Sequence, residues 1–289
     1  MQDIKCRWAP SLGALEGTAE EVWGTTPYNP DADGEKPCVF FGLYGLPDFY
    51  ALWRHKGKRW ILWAGSDILH FKNGYWLDGE GKIRLNRKSL AKWISKNCES
   101  WVETGKEYND LLKLGIKAKI CPSFMGDVSK YEITFQKTPN VRVYASVSGD
   151  NFVDYGWDVI EDVAGKVRDV EFHLYGNIKK WKTKHSNVIV HGRVPKEQMN
   201  EEIKTMQAGL RLNKNDGFSE IVAKSALWGQ YPISYYPHPH IGGLAGGGIS
   251  IKRELVKALN RLSIKRDPNY QARNWYLKNF NNFPWNTKK

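Results

Sequence analysis

Short apolar runs alternate with stretches of helical period along the chain, which predicts parallel α/β structure. Cys38-Val-Phe-Phe-Gly-Leu-Tyr44 is an unbroken apolar run followed by Gly45 and Pro47, as a strand covered on both faces requires. A helix over 48–56, a strand over 60–63, a helix over 87–96, a strand over 99–104, a helix over 106–114 stopped by Gly115, and a strand over 118–121 before Pro122 follow in order. Residues 71–84, with Asn73, Gly74, Asp78, Gly79 and Gly81 around Tyr75 and Trp76, read as a loop or hairpin excursion. Residues 123–139 interrupt the alternation and hold the expected domain boundary. The pattern restarts with strand 141–146, loop 147–155, helix 156–167, strands 170–175 and 188–191, a helix over 196–207 opened by Pro195, and strand 209–212.

The stretch 216–234 organises the second half. It reads as a strand end, the tight turn Asp216-Gly217-Phe218, a short buried helix closed by Gly229, and a strand over 231–235. A helix opening from a glycine turn leaves its first N–H groups unpaired at the positive end of its dipole, so a diphosphate suits it. Equally, Ser219 suits a simple cap on a core helix. The loop 236–248, rich in Gly and His-Pro pairs, leads into a helix over 251–262. The expected division is an irregular N-terminal arm at 1–36, domains at 37–130 and 131–268, and a C-terminal helix and tail at 269–289.

Composition narrows the class. The chain has 289 residues, 41% of them apolar, enough for two ordinary cores. No apolar run approaches the roughly 20 residues of a membrane span, and no charged-then-apolar leader follows Met1, so a soluble cytoplasmic protein is expected. Cys6, Cys38, Cys98 and Cys121 lack metal or disulfide spacing, so reduced structural thiols and no metal site are expected. A net charge of +12 points to a polyanionic partner, nucleic acid or an anionic membrane surface, without choosing between them. A solvated basic surface accounts for much of it as well. Thirteen tryptophans are many for this length, and Trp53, Trp60, Trp93 and Trp181 each adjoin a basic residue, as stacking on bases or sugars would use. Trp60, Trp63 and Trp101 sit in strand patterns and read as core.

Three segments of the second half, in order, resemble the GT-B glycosyltransferases, in particular the retaining nucleotide-sugar family. They are Asn187-Val-Ile-Val-His-Gly-Arg-Val-Pro-Lys-Glu-Gln-Met199, Met206-Gln-Ala-Gly-Leu-Arg-Leu212, and Asp216-Gly-Phe-Ser through Gly229 to Pro232-Ile-Ser234. The resemblance implies two Rossmann-like domains with a cleft between them, the first on the acceptor side and the second binding the donor. It implies that Asp216, matching the family's first acidic residue, holds donor-sugar hydroxyls. Lys224 stands where a ribose-binding Glu would be; a cation cannot accept ribose O–H bonds, so Lys224 contacts phosphate or another nucleoside, or pairs with Glu220 one turn away. Tyr155-Gly156 replaces the family's Lys-Gly, which leaves Arg193 as the candidate phosphate cation unless it is a surface arginine.

Sugar transfer needs the leaving diphosphate stabilised and the acceptor hydroxyl oriented. The donor-binding set is then Ser148, Gly149, Arg193, Gly217, Phe218, Ser219, Glu220 and Lys224, with the Gly242–Gly248 loop as a further backbone source or a plain connector. Asp216 and Asp67 are the candidate catalytic residues; Asp67, with Ser66 as an acceptor-binding residue, is placed on the acceptor side because Gly65-Ser66-Asp67 ends a first-domain strand, with an N-capping Asp as the alternative. His238 is a candidate acceptor contact. The expected function is a glycosyltransferase using a nucleotide-sugar, such as a UDP-sugar, as co-substrate with no other cofactor. Its acceptor is a hydroxymethylated base in DNA, preferred here, or a lipid-linked or surface glycan at an anionic membrane. The non-enzymatic alternative, suggested by Lys224 and Tyr155, is a degenerate nucleic-acid-binding module.

Overall fold

The computed structural model describes residues 3–15, 17–74, 86–176, 181–214, 216–244 and 250–288. The expected excursion from Tyr75 onward, the glycines at 246–248, Lys179, Lys180 and Lys289 lie outside the described residues. The chain divides into two compact units. The first comprises Met1–Asp127, Asn215–Phe218 and Asn279–Lys289, the second Val128–Lys214 and Ser219–Lys278.

The first unit is built on strands β1 (Lys5–Trp8), β2 (Thr26–Pro27), β3 (Cys38–Phe41), β4 (Arg59–Leu62), β5 (Glu99–Val102) and β6 (Ala118–Ile120). Among the described residues they form one six-stranded sheet, ordered β2-β1-β3-β4-β5-β6, with every pair parallel. Its helices are α1 (Thr18–Trp23), α2 (Leu46–Arg54), α3 (Ser66–Asn73), α4 (Arg87–Asn97) and α5 (Gly105–Lys113). Side-chain alternation explains the apolar runs: Cys38, Phe40, Ile61 and Trp63 face a core shared with α2 to α5, and Val39, Phe41, Trp60 and Leu62 face the opposite one. That second core is closed by the chain's tail, where Trp285 meets Trp23, Trp60 and Trp101 at ring-centroid distances of 5.9, 5.9 and 5.7 Å. Trp60 and Trp63 are core, as their strand pattern predicts.

The segment at 1–36 is not an irregular arm. It supplies β1, which pairs with β3 along its length, and α1, whose Trp23 is fully buried. Its strand is hard to see because Lys5 and Arg7 alternate with Cys6 and Trp8; both cations are matched by carboxylates, Arg7 with Asp48 at 2.8 Å and Lys5 with Asp33 at 3.6 Å.

The second unit holds β7 (Val141–Ser146), β8 (Val170–Tyr175), β9 (Val188–Gly192), β10 (Ala208–Arg211) and β11 (Ile233–Ser234). Their order is β11-β10-β7-β8-β9, again parallel throughout. Helices α6 (Trp157–Ala164), α7 (Lys196–Ile203), α8 (Glu220–Leu227), α9 (Ile251–Ser263) and α10 (Tyr270–Asn279) accompany them. Of the expected elements that are shorter, two have a visible cause. The helix from Lys196 ends at Ile203, because Gln207 joins the sheet, donating its N–H to Arg142 O at 2.9 Å while its side chain accepts from Arg142 N–H at 2.7 Å. The strand expected over 231–235 keeps only Ile233 and Ser234, since Pro232 has no N–H for the ladder. No helix among the described residues is long and apolar enough to cross a membrane.

Candidate functional site

In the second unit the chain runs outward from β7 to β8 and β9, then crosses to the other side of β7 to lay down β10 and β11. Connections leaving β7 and β10 therefore diverge at their carboxyl ends, and open α/β sheets bind ligands at such a switch point. The loop after β7 presents Ser148 and Gly149, both exposed, with Gly149 at a left-handed φ of 64°. The loop folds back so that Gly156, φ 76°, lies against Leu212 just beyond β10; a Cβ at 156 would sit 2.5 Å from the Leu212 Cβ. Only glycine combines that approach with that dihedral.

Beyond β10 the chain leaves the second unit at Lys214, contributes its next residues to the first, and re-enters at Ser219. In the first unit the Phe218 N–H donates to Glu103 Oε2 at 3.1 Å, and its ring meets Phe280 edge-on at 5.8 Å. The Phe218 N–H is therefore not available to a diphosphate as expected. Gly217 packs closely here: a Cβ there would come within 2.8 Å of Glu103 Oε2 and 3.1 Å of Glu107 Oε1, so the two carboxyls would have to shift. Glu107 closes a capping box at α5, accepting the N–H groups of Glu103 and Thr104 and the Thr104 hydroxyl at 3.0, 2.8 and 2.9 Å. Burial pushes the Glu103 carboxyl up to about 7, with the negative charge of Asp216 adding to it, against hydrogen bonds from Ser123 and Phe218. Glu107 is raised well above the carboxylate range by burial and by Glu103. The sequence reading missed these two acids, although Thr104-x-x-Glu107 is a visible capping signature.

At the start of α8, Ser219 Oγ accepts the Ile221 N–H at 3.2 Å, so the hydroxyl caps the helix. Lys224 is 5% exposed; its ammonium meets Glu220 at 2.9 Å and donates to Asn200 Oδ1 at 2.9 Å. Of the readings open for Lys224, the structure takes the pairing with Glu220. Burial lowers the Lys224 pKa and Glu220 opposes it; burial would raise Glu220, but Lys224 and Lys196 outweigh it and hold Glu220 low.

Asp67 is fully buried in the first unit. Its carboxylate accepts the N–H groups of Leu43 and Ala64 at 2.9 and 3.0 Å, joining the exits of β3 and β4. Burial raises it to about 7 despite those hydrogen bonds. A side chain without exposure cannot meet an acceptor, which corrects its assignment to the site and favours the backbone-capping reading. Neighbouring Ser66 is half-buried, its hydroxyl 3.2 Å from the Tyr44 hydroxyl. Arg193 is exposed just after edge strand β9, which β8 separates from β7. Two strand spacings put it roughly 10 Å from the switch point. His238 follows β11, its Nε2 3.1 Å from Ser234 Oγ in a turn closed by its paired backbone bonds with Ile241. Among the described residues no three His, Cys, Asp or Glu side chains come together as a metal group.

No family model matches the chain, and no curated protein matches it in sequence. Solved structures do. HepE of Anabaena in complex with UDP aligns at a TM-score of 0.56 and 9% identity over 97% of this chain and 96% of HepE. The α,α-trehalose 6-phosphate synthase of Burkholderia multivorans aligns at 0.56 and 9%, over 85% of this chain and 67% of the synthase. TarM aligns at 0.50 and 12% over 83% of this chain, which spans half of TarM. These are GT-B glycosyltransferases, and at such identity the likeness establishes the fold: α/β, with two Rossmann-like units of the GT-B type.

Proposed function

We propose that the chain is a glycosyltransferase that binds a nucleotide-sugar at the carboxyl ends of β7 and β10 and passes the sugar to an acceptor hydroxyl. The observation that carries this reading is the switch point itself: an exposed glycine loop after β7 and a basic strand end on β10, in a fold shared with a protein solved with UDP and with UDP-glucose. In this reading the backbone of Ser148 and Gly149 stabilises the leaving diphosphate, where negative charge develops. Asp216 accepts donor-sugar hydroxyls and fixes the anomeric carbon toward the acceptor.

The acceptor is polyanionic in this proposal, and the first unit supports it. Lys88, Lys92 and Lys96 follow one another at four-residue spacing on α4 and line an open groove of about 510 Å³ with Ser95, Leu114 and Gly115. None of these lysines has an ion pair among the described residues. A concave basic track fits a phosphate-bearing strand, so DNA with a hydroxymethylated base is the preferred acceptor. Exposed Tyr50 and Trp53 beside Arg54, 41% and 53% accessible, favour an anionic membrane surface as the second reading. The test is transfer of labelled sugar from a nucleotide-sugar panel to hydroxymethylated DNA and to anionic vesicles carrying glycan acceptors. DNA affinity falling steeply with salt and lost in a Lys88→Glu, Lys92→Glu, Lys96→Glu variant supports the first reading; transfer confined to vesicles supports the second.

A further inference from the structure

Arg211 is the last residue of β10. The register pairs Leu210 with Ala145, so Arg211 stands level with Ser146, the last residue of β7, where the two chains part. Its guanidinium carbon lies 4.4 Å from the centroid of the Tyr155 ring, within the range of a cation–π contact. Tyr155 belongs to the loop that leaves β7 and is anchored from three sides. Its N–H donates to Asn151 O at 3.1 Å, its ring packs against the core of the second unit, and the next residue, Gly156, is pressed against Leu212. The Arg211 backbone is held as well, its carbonyl accepting the Tyr235 N–H at 2.8 Å. A second cation follows on the same connection: Lys214 Nζ lies 5.9 Å from the Tyr235 ring centroid.

We propose that Arg211, seated on Tyr155, is the residue that binds the donor diphosphate, with Tyr155 as its positioning platform. The proposal rests on the nucleotide-sugar reading above. The guanidinium is held over the ring, and its planar fork of donors is of the shape that matches two phosphate oxygens. Stacking also restricts the side chain before the ligand arrives, so less freedom is lost on binding. The position is at the switch point, whereas Arg193 stands beyond an intervening strand. Arg211 lies inside an apolar run and its platform is on another loop, so no local spacing announces the pair.

The test is calorimetric titration of the whole chain with UDP, GDP, ADP and dTDP, and with the matching monophosphates, comparing wild type with Arg211→Met, Arg211→Lys and Tyr155→Ala. Arg211→Met keeps the side chain's length without its charge. It is expected to weaken the preferred nucleoside diphosphate by about 10- to 100-fold, the loss of charge-assisted hydrogen bonds, with a smaller loss for the monophosphate. Arg211→Lys should fall between, and Tyr155→Ala should cost less than Arg211→Met. Should Arg211→Met lower the melting temperature, Arg211→Gln, which keeps a planar polar head, must show the same diphosphate loss. Wild-type diphosphate affinity in a folded Arg211→Met or Arg211→Gln variant overturns the proposal and leaves the nucleotide-sugar reading standing. A wild-type chain that binds none of the diphosphates overturns both.

Discussion

The two units end their parallel strands in opposite ways. In the first, buried carboxylates close the exits: Asp67 takes the Leu43 and Ala64 N–H groups, and Asp48 takes those of Tyr44 and Gly45 at 2.9 and 3.1 Å while pairing with Arg7. In the second, the exits of β7 and β10 carry an exposed glycine loop and an arginine on a tyrosine ring. An acid at a strand end is thus no sign of a site when its acceptor capacity is consumed by backbone donors. A cation set on an aromatic ring at a switch point is the better marker.

The largest expected effect is on stability. Asp67→Ala strands two backbone N–H groups in the interior at about 1–3 kcal/mol each, so an overall loss of about 2–5 kcal/mol is expected by urea unfolding. Asp67→Asn keeps one acceptor and should lose less, with transfer per folded molecule preserved. An Asn variant of wild-type stability without transfer would return Asp67 to the site.

Next is turnover. Asp216→Asn keeps the size but changes an acceptor-only group into one that also donates, and the expected loss is about 100-fold in kcat with donor affinity nearly unchanged. A lower melting temperature with turnover preserved would make Asp216 structural.

A third effect depends on pH. In the second unit His173 Nδ1 lies 2.9 Å from His191 Nε2, with Glu171, Glu202 and Arg142 around them. Burial lowers both histidines, His173 to about 4 with the charge of His191 adding to it. Depressed values mean that the unfolded chain takes up protons first as pH falls below about 6.5. The stability that neutral His173 contributes is whole above that pH and is lost as pH falls toward 4. Asp67 and Glu103, raised to about 7, act in the opposite direction, so the contribution is isolated as wild type minus His173→Phe. That difference in melting temperature should shrink by a few degrees between about pH 7 and 5; a flat difference contradicts it.

The smallest effect sharpens the contrast between cations. Arg193→Ala, exposed after an edge strand, should change diphosphate affinity by less than about threefold, well below the loss expected at Arg211.

Much of this fold was legible because its central strands are largely buried: Cys38–Phe41 is a continuous apolar run, and Val141–Ser146 is interrupted only by Arg142 before its polar end at Ser146. β1 was not, because Lys5 and Arg7 enter a sheet only when Asp33 and Asp48 meet them, and those partners lie far along the chain. At the site, local spacing revealed the Ser219 cap and the Lys224–Glu220 pair, one helical turn apart. It could not show that the Phe218 N–H goes to Glu103, or that Arg211 rests on Tyr155, since both depend on segments brought together only by folding.

Whether the second unit receives a nucleotide-sugar is tested by a thermal-shift titration of the full chain with a panel of nucleotide-sugars. Binding to the folded state raises the melting temperature by mass action. A saturable rise is expected with at least one panel member that the corresponding nucleoside alone does not reproduce. No rise with any member at millimolar concentration would contradict the nucleotide-sugar reading.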